Sequence, residues 1–248
     1  MKKKILVTGG GGFIGSHLVE TLIKDGHSVK TIVPYNPDNS WGWIDSFEPN
    51  IKKNLEIISG DICDQNLVSK LVKNVDVIFH LAALISIPYS YVSPRSYIST
   101  NIMGTLNLLE ASRNSNVELF VQTSTSEVYG SSQYSPIDEQ HPLNAQSPYA
   151  ATKIAADQLA LSYYRSFDLP VSIIRPFNTF GPRQSLRAFI PTIITQILSS
   201  KKKIKLGNLN SKRDFSYVSD TVRGFTSCIG KKRCLGQAIN LGTGVVFS

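Results

Sequence analysis

Chemistry in this 248-residue chain is carried first by Tyr149 and Lys153. They stand four apart at the start of a predicted helix, so they share one face. An ammonium beside a phenol is expected to lower the phenol's pKa, and the helix N-terminus adds a favourable field. Ser124-Thr125, just after an upstream strand-like run, brings hydroxyls towards the same end. A second constellation is Thr8-Gly9-Gly10-Gly11-Gly12-Phe13-Ile14-Gly15, with glycines at 9, 12 and 15, between the first predicted strand and the first predicted helix. Glycines there allow a tight turn, close approach of a pyrophosphate to the helix N-terminus, and close packing of helix on strand. Together the two constellations describe a tyrosine acting as general base on a sugar hydroxyl while a dinucleotide takes the hydride.

These residues need a scaffold, and the pattern supplies one. Strand-like runs at Lys4–Thr8, Val29–Val33, Leu55–Ser59, Val75–His80, Glu118–Gln122 and Val171–Arg175 alternate with helical stretches. The first helix spans Ile14–Asp25, with Ile14, Leu18, Leu22 and Ile23 on one stripe and Gly26 as its stop. Others are predicted near 64–73, 94–113, 148–166 and 187–199. Ser93-Pro94 and Ser147-Pro148 each place a capping hydroxyl before a proline at the first helical position. The alternation predicts an α/β fold, a doubly wound parallel sheet with helices on both faces. After about Arg175 the pattern loosens, which suggests a dinucleotide-binding domain over 1–175 and a smaller, partial substrate lobe over 176–248, interleaved with it.

Composition narrows the partners. Hydrophobic residues make up 42% of the chain, enough for a sizeable core without staples. Cys63, Cys228 and Cys234 form no metal-ligand spacing, so neither a disulfide framework nor a metal site is expected. No apolar run approaches ~18 residues, and the basic start Met1–Lys4 lacks an apolar stretch after it. A cytoplasmic protein without a membrane partner is the expectation. The net charge of +8 comes from lysines and arginines clustered at 2–4, 201–205 and 231–233. No aromatics interleave with them, which argues against nucleic acid; they read as solvated surface, or as a field attracting phosphorylated substrates. The acidic residue expected ~20 residues beyond the glycines, to hold a ribose, is missing at Val33-Pro34-Tyr35-Asn36. No arginine stands there either, so NAD and NADP are both open.

The motifs TGGGGFIGSHL (8–18), HLAA (80–83), TNIMGTLNLLEA (100–111), STSEVYG (124–130), SPYAATK (147–153), RPFNTFGPRQ (175–184) and RDFSYVSD (213–220) resemble those of the extended short-chain dehydrogenases/reductases, of the NAD-dependent epimerase/dehydratase type. The resemblance runs over nearly the whole chain. It implies that Thr125, Tyr149 and Lys153 form the catalytic core, and that Asn101 supports the lysine through a water chain. It also implies that Asn178 and Arg213 contact the diphosphate or base of a nucleotide sugar. Gly9, Gly12, Phe13, Ile14, Gly15, Asp61, Ile62, Leu81, Ala82, Ala83, Asn101, Thr123, Tyr149 and Lys153 would then line an NAD site. Asp61 would accept from an adenine amino group, or serve as a plain turn residue. The family further implies a homodimer.

Within the family, many 4,6-dehydratases carry Asp-Glu after the threonine, the acid for C6 and the base for C5. Here the pair is Ser126-Glu127. The base is present and the usual acid is not; either Glu127 itself or a water held by Ser126 would serve. Tyr35-Asn36, Asn39-Ser40-Trp41-Gly42-Trp43, QSPYAATK and RPFNTFGPRQS resemble the N-acetylglucosamine-nucleotide (GDP-type) 4,6-dehydratases of legionaminic acid synthesis, and so imply cell-surface polysaccharide biosynthesis. Trp41 and Trp43 read equally as simple loop packing. The expectation is therefore a lyase forming a 4-keto-6-deoxy sugar nucleotide from GDP- or UDP-N-acetylglucosamine. Its rivals are a UDP-glucuronate decarboxylase, a nucleotide-sugar 4-epimerase and, at a distance, a non-catalytic dinucleotide sensor. The family continues beyond the Asn240–Gly244 region, so a longer parent chain with a fuller nucleotide pocket is expected.

Overall fold

The computed structural model describes residues 2–199, 203–206 and 212–247. Lys201 and Lys202 of the second basic cluster lie outside the described residues. In chain order the elements begin β1 (Lys4–Thr8), α1 (Phe13–Lys24), β2 (Ser28–Val33), α2 (Pro49–Lys52), β3 (Leu55–Ser59), α3 (Gln65–Leu71) and β4 (Val77–His80). Next come α4 (Ile87–Val92), α5 (Pro94–Tyr97), a π-turn (Ile98–Met103), α6 (Gly104–Arg113), β5 (Leu119–Thr123) and a 3-10 turn (Ser126–Tyr129). α7 (Pro148–Phe167), β6 (Val171–Pro176), β7 (Asn178–Phe180), α8 (Phe189–Leu198), β8 (Phe215–Tyr217), α9 (Val218–Thr226) and β9 (Ala238–Leu241) complete the order.

Seven strands form one parallel sheet in the order β3-β2-β1-β4-β5-β6-β9. The apolar runs of the inner strands β1, β4, β5 and β6 are buried because helices cover both faces, as parallel sheets require, whereas β3 is a half-exposed edge. One face packs Val7, Leu18, Leu22, Phe79 and Phe225 together. The other packs Leu6, Ile78, Leu108, Phe120 and Ile173. Residues after 176 do two things. β7 and β8 pair in a small separate sheet, and β9 returns to the main sheet beside β6.

One local expectation is refined and one needs correction. The helix predicted over 94–113 runs without a break through α5 and α6, but its turn at Ile98–Met103 is wound as a π-helix, where the Asn101 side chain bonds the backbone of Leu84, 17 residues earlier. Ser147 caps α7 as expected, accepting from the Ala150 N–H at 3.1 Å. Ser93 does not cap; its hydroxyl pairs with that of Ser96. Gly26 ends α1 as predicted, with φ of +86° just past the C-cap.

Candidate active site

The chain order reverses at β1 and β4: β2 and β3 lie to one side, and β5, β6 and β9 to the other. A crevice opens outside the carboxyl ends of strands at such a switch point, where ligands of open α/β sheets bind. The glycine turn lies there. Gly9 has φ of +74°, and a side chain on it would begin 2.9 Å from the Ala82 nitrogen. On Gly15 a Cβ would stand 2.2 Å from the Gly9 carbonyl oxygen, so no larger residue lets α1 start this close to β1. α1 begins at Gly12 without a side-chain cap, leaving the first amides, those of Phe13 and Ile14 among them, unclaimed by any capping side chain. Such a helix start suits a pyrophosphate. Leu81, Ala82 and Ala83 leave β4 alongside it. Ile62 is buried beyond β3 against the start of α6, whereas Asp61 is exposed and holds the Cys63 N–H at 2.8 Å.

The loop from Pro34 to Pro49 closes over this turn. The Trp43 N–H donates to the Gly11 carbonyl at 3.0 Å, and Trp41 packs against the core. Trp43 is 44% exposed. For Trp41 the packing reading describes what the side chain does.

Tyr149 and Lys153 are brought onto one buried face of α7, at 7% and 5% exposure. The expected lowering of the phenol is reversed. Burial pushes Tyr149 well above the ordinary tyrosine range, the Thr125 hydroxyl pulls it back by a hydrogen bond, and the charges of Glu127 and Asp157 push it further up. Sharing a face did not make Lys153 the phenol's neighbour. Its ammonium reaches instead to the Thr123 carbonyl at the end of β5, and burial holds its pKa down at about 8 against the pull of Asp157. Thr125 also receives the Glu127 N–H, so the 3-10 turn carrying Ser126 and Glu127 begins on the Thr125 hydroxyl. Glu127 is half-buried, and its charge pushes the phenol's pKa up.

Beneath these groups lies a network that sequence reasoning missed. Asp157 is fully buried and accepts from the Ser124 hydroxyl at 2.7 Å and from Arg175 Nε and Nη2, both at 3.2 Å. Arg175 also donates to the Tyr129 hydroxyl at 2.9 Å, and Tyr129 donates to Asn240 Oδ1 at 2.8 Å. One buried ion pair thereby joins β5, α7, β6, β9 and the turn of Glu127. The signal was available: 149, 153 and 157 repeat at helical spacing, so a carboxylate shares the face of the tyrosine and the lysine.

Asn101 is buried, bonded to both backbone groups of Leu84 and, at 3.0 Å, to the Thr152 hydroxyl. Asn178 opens β7, and its N–H donates to the Asp214 carbonyl. Arg213 is exposed two residues before β8, the strand that pairs with β7, so the two expected substrate contacts lie at the same end of the small sheet. Lys2, Lys3 and Lys4 line, with Lys73, a concavity of about 740 Å³ at the amino ends of the strands. That edge is opposite to the catalytic groups, so these charges do not line the crevice.

Sheet order, glycine turn and the tyrosine–lysine helix define a Rossmann-type protein of the extended short-chain dehydrogenase/reductase class. The chain belongs to the family described as GDP-mannose 4,6 dehydratase, whose profile matches residues 6–247. It is 37% identical over 243 residues to a Bacillus subtilis (strain 168) protein described as an uncharacterized UDP-glucose epimerase, YtcB, covering 96% of this chain and 76% of that one. A dTDP-glucose 4,6-dehydratase of Actinoplanes sp. is 35% identical over 246 residues, covering 97% and 77%. Among solved structures, a mutant of the UDP-glucuronic acid 4-epimerase of Bacillus cereus, in complex with a UDP-sugar analogue and NAD, superposes with a TM-score of 0.90 at 34% identity, covering 99% of this chain and 79% of that one. Among the described residues, no helix is long and apolar enough to cross a membrane.

Proposed function

We propose that this protein is a nucleotide-sugar 4,6-dehydratase, a lyase acting on GDP- or UDP-N-acetylglucosamine with NAD as its cofactor. The observation that carries the reading is the place of Glu127: half-buried, on the turn that starts at Thr125, with its charge felt at the Tyr149 phenol. An epimerase working at C4 has no use for a carboxylate there; a dehydratase needs one for the proton at C5. The cofactor assignment is supported by the NAD held in similar structures and by the uncapped helix start beside Gly9 and Gly12. When bound, NAD supplies the hydride acceptor, the store from which the hydride returns, and a positive ring charge that favours the phenolate.

The chain's own residues handle the protons. Tyr149 takes the proton of the C4 hydroxyl, with Thr125 donating to its oxygen. Lys153, held by the Thr123 carbonyl, keeps a positive charge on the same face. The C4 ketone acidifies the C5 hydrogen, and Glu127 removes it. Water leaves from C6, its departure assisted either by Glu127 in its protonated form or by a water on Ser126. Asn178 and Arg213 hold the nucleotide diphosphate or base. The protein works as a cytoplasmic homodimer on this reading.

Similarity to 4-epimerases favours that activity as the second reading. Glu127→Gln separates them. Wild-type turnover in D₂O is expected to give a product lighter by one water, with deuterium at C5. The variant is expected to reduce at most one equivalent of NAD per site and stall there, without C5 exchange. Wild-type product with no deuterium at C5, or full activity in Glu127→Gln, overturns the dehydratase assignment. Loss of CO₂ from UDP-glucuronate would replace it with the decarboxylase.

A further inference from the structure

His80 closes β4 at 2% exposure, and both of its ring nitrogens are bonded. The direction of every proton around it follows from counting. The Thr105 hydroxyl has one proton, and it goes to the Asn101 carbonyl at 2.7 Å, which can only accept. Thr105 Oγ1 therefore accepts from His80 Nε2 at 3.0 Å, and that nitrogen carries the ring hydrogen. Burial disfavours the cationic ring and the Lys153 charge adds to this, holding the imidazole down at about 3. Nδ1 is then bare, and the Thr8 hydroxyl donates to it at 2.7 Å. Both lone pairs of Thr8 Oγ1 are taken by the Leu81 and Ala82 N–H groups, at 3.1 and 3.0 Å.

Each end of this chain meets a functional segment. Thr8 precedes Gly9, and Ala82 is the residue against which the Gly9 turn packs. At the other end is Asn101, in the π-wound turn between α5 and α6; such turns gather at functional sites. The Asn101 side chain donates to Thr152 Oγ1 at 3.0 Å, and Thr152 donates to the carbonyl of Tyr149 at 2.7 Å. An unbroken line of hydrogen bonds and one residue's covalent frame thus joins the glycine turn to the peptide of the candidate base.

We infer that His80 is a positioning residue: a neutral ring protonated on Nε2, which sets α7, and with it Tyr149, in register against the glycine turn through Thr8 on one side and Thr105, Asn101 and Thr152 on the other. This rests on the reading of Tyr149 as the base and of the glycine turn as the NAD site, but its proton placement does not. Two measurements test it. On the full chain with ¹⁵N-labelled histidine, long-range ¹H–¹⁵N spectra are expected to show His80 with Nε2 protonated, Nδ1 unprotonated and no titration between pH 6 and pH 9. The second is Thr105→Val, which keeps the shape but strands the Nε2 hydrogen.

Thr105→Val is expected to lower kcat on GDP- or UDP-N-acetylglucosamine by about 10- to 100-fold, the cost of a small misplacement of a catalytic group. NAD affinity, measured by fluorescence titration, is expected to stay within about threefold, a difference below 1 kcal/mol. Thr105→Ser, which restores the hydroxyl, is expected to recover most of the rate. A His80 that titrates in this range or carries its hydrogen on Nδ1 overturns the inference, whichever sugar is turned over. So does a Thr105→Val enzyme of wild-type kcat, or equal losses of kcat and NAD affinity that serine does not restore. A protein that turns over neither sugar, with His80 as described, counts against the substrate reading and leaves the proton placement standing.

Discussion

Replacing Asp157 by leucine removes one half of an ion pair whose side chains are 0% and 4% exposed. Asp157 Oδ2 takes three hydrogen bonds, from Ser124 and twice from Arg175, so the substitution leaves a guanidinium buried with only the Tyr129 hydroxyl as a side-chain partner. Two charges at about 4 Å attract by about 4 kcal/mol at the effective dielectric that describes most protein sites. Breaking a buried pair from one side costs about 3–5 kcal/mol, because the remaining charge is uncompensated. For a chain of this length each kcal/mol is about 2–4 °C in Tm, so Asp157→Leu should melt roughly 6–20 °C early. Thermal unfolding followed by circular dichroism reads this directly. The decisive comparison is the double variant Asp157→Leu with Arg175→Met. With both charges gone no buried ion is left alone, and the double variant should recover much of the loss, coupling the two sites by at least about 2 kcal/mol. If Asp157→Leu costs under about 1 kcal/mol, or if the two single losses simply add, the pair does not hold the site together.

Tyr149→Phe should lower kcat by about 10²–10⁴, the usual cost of losing a general base, with nucleotide-sugar affinity little changed; near-wild-type turnover removes Tyr149 from the chemistry. Lys153 gives a pH signature. Its ammonium is present below its pKa of about 8 and lost above it, so kcat should fall as pH rises through that value. Asp157→Asn should move the fall to lower pH, since the Asp157 charge raises the lysine. A folded value below the ordinary lysine 10.5 also means that this side chain binds more protons in the unfolded chain between about pH 8 and 10.5. The Lys153 contribution to stability should therefore rise with pH across that window, read in denaturant titrations as a wild-type minus Lys153→Met difference that grows with pH; a difference that stays flat or shrinks refutes it.

The strands were legible as short apolar runs with boundaries that match the structure, both where the sheet buries them, as at Lys4–Thr8, and at the half-exposed edge strand Leu55–Ser59. The glycine turn was legible because its steric demand is local. What escaped was set by partners distant in sequence. The π-wound turn around Asn101, whose side chain bonds Leu84 and Thr152, is announced by nothing in the run from 98 to 103. The face shared by Tyr149 and Lys153 could be read from spacing. The direction of the lysine could not, since the Thr123 carbonyl it seeks lies 30 residues earlier. His80 stood out only as the first letter of a motif; its value as a strut needs hydroxyls from β1 and α6 to arrive on either side.

The position of β9 also orders events during synthesis. β6, with all six residues buried, has β5 on one side and β9 on the other. Its second neighbour is made roughly 60 residues later, about 3–12 s at ribosomal speed. For that interval the nascent chain presents an open apolar edge, a template for pairing with any other emerging strand. Asn240 arrives on the same late strand, so the bond that fixes Tyr129, and through it the turn of Glu127, forms as the edge is sealed. A nascent protein of this design has its glycine turn long before its acid–base turn is tied down. The interval between the two is when a chaperone would matter most to its yield.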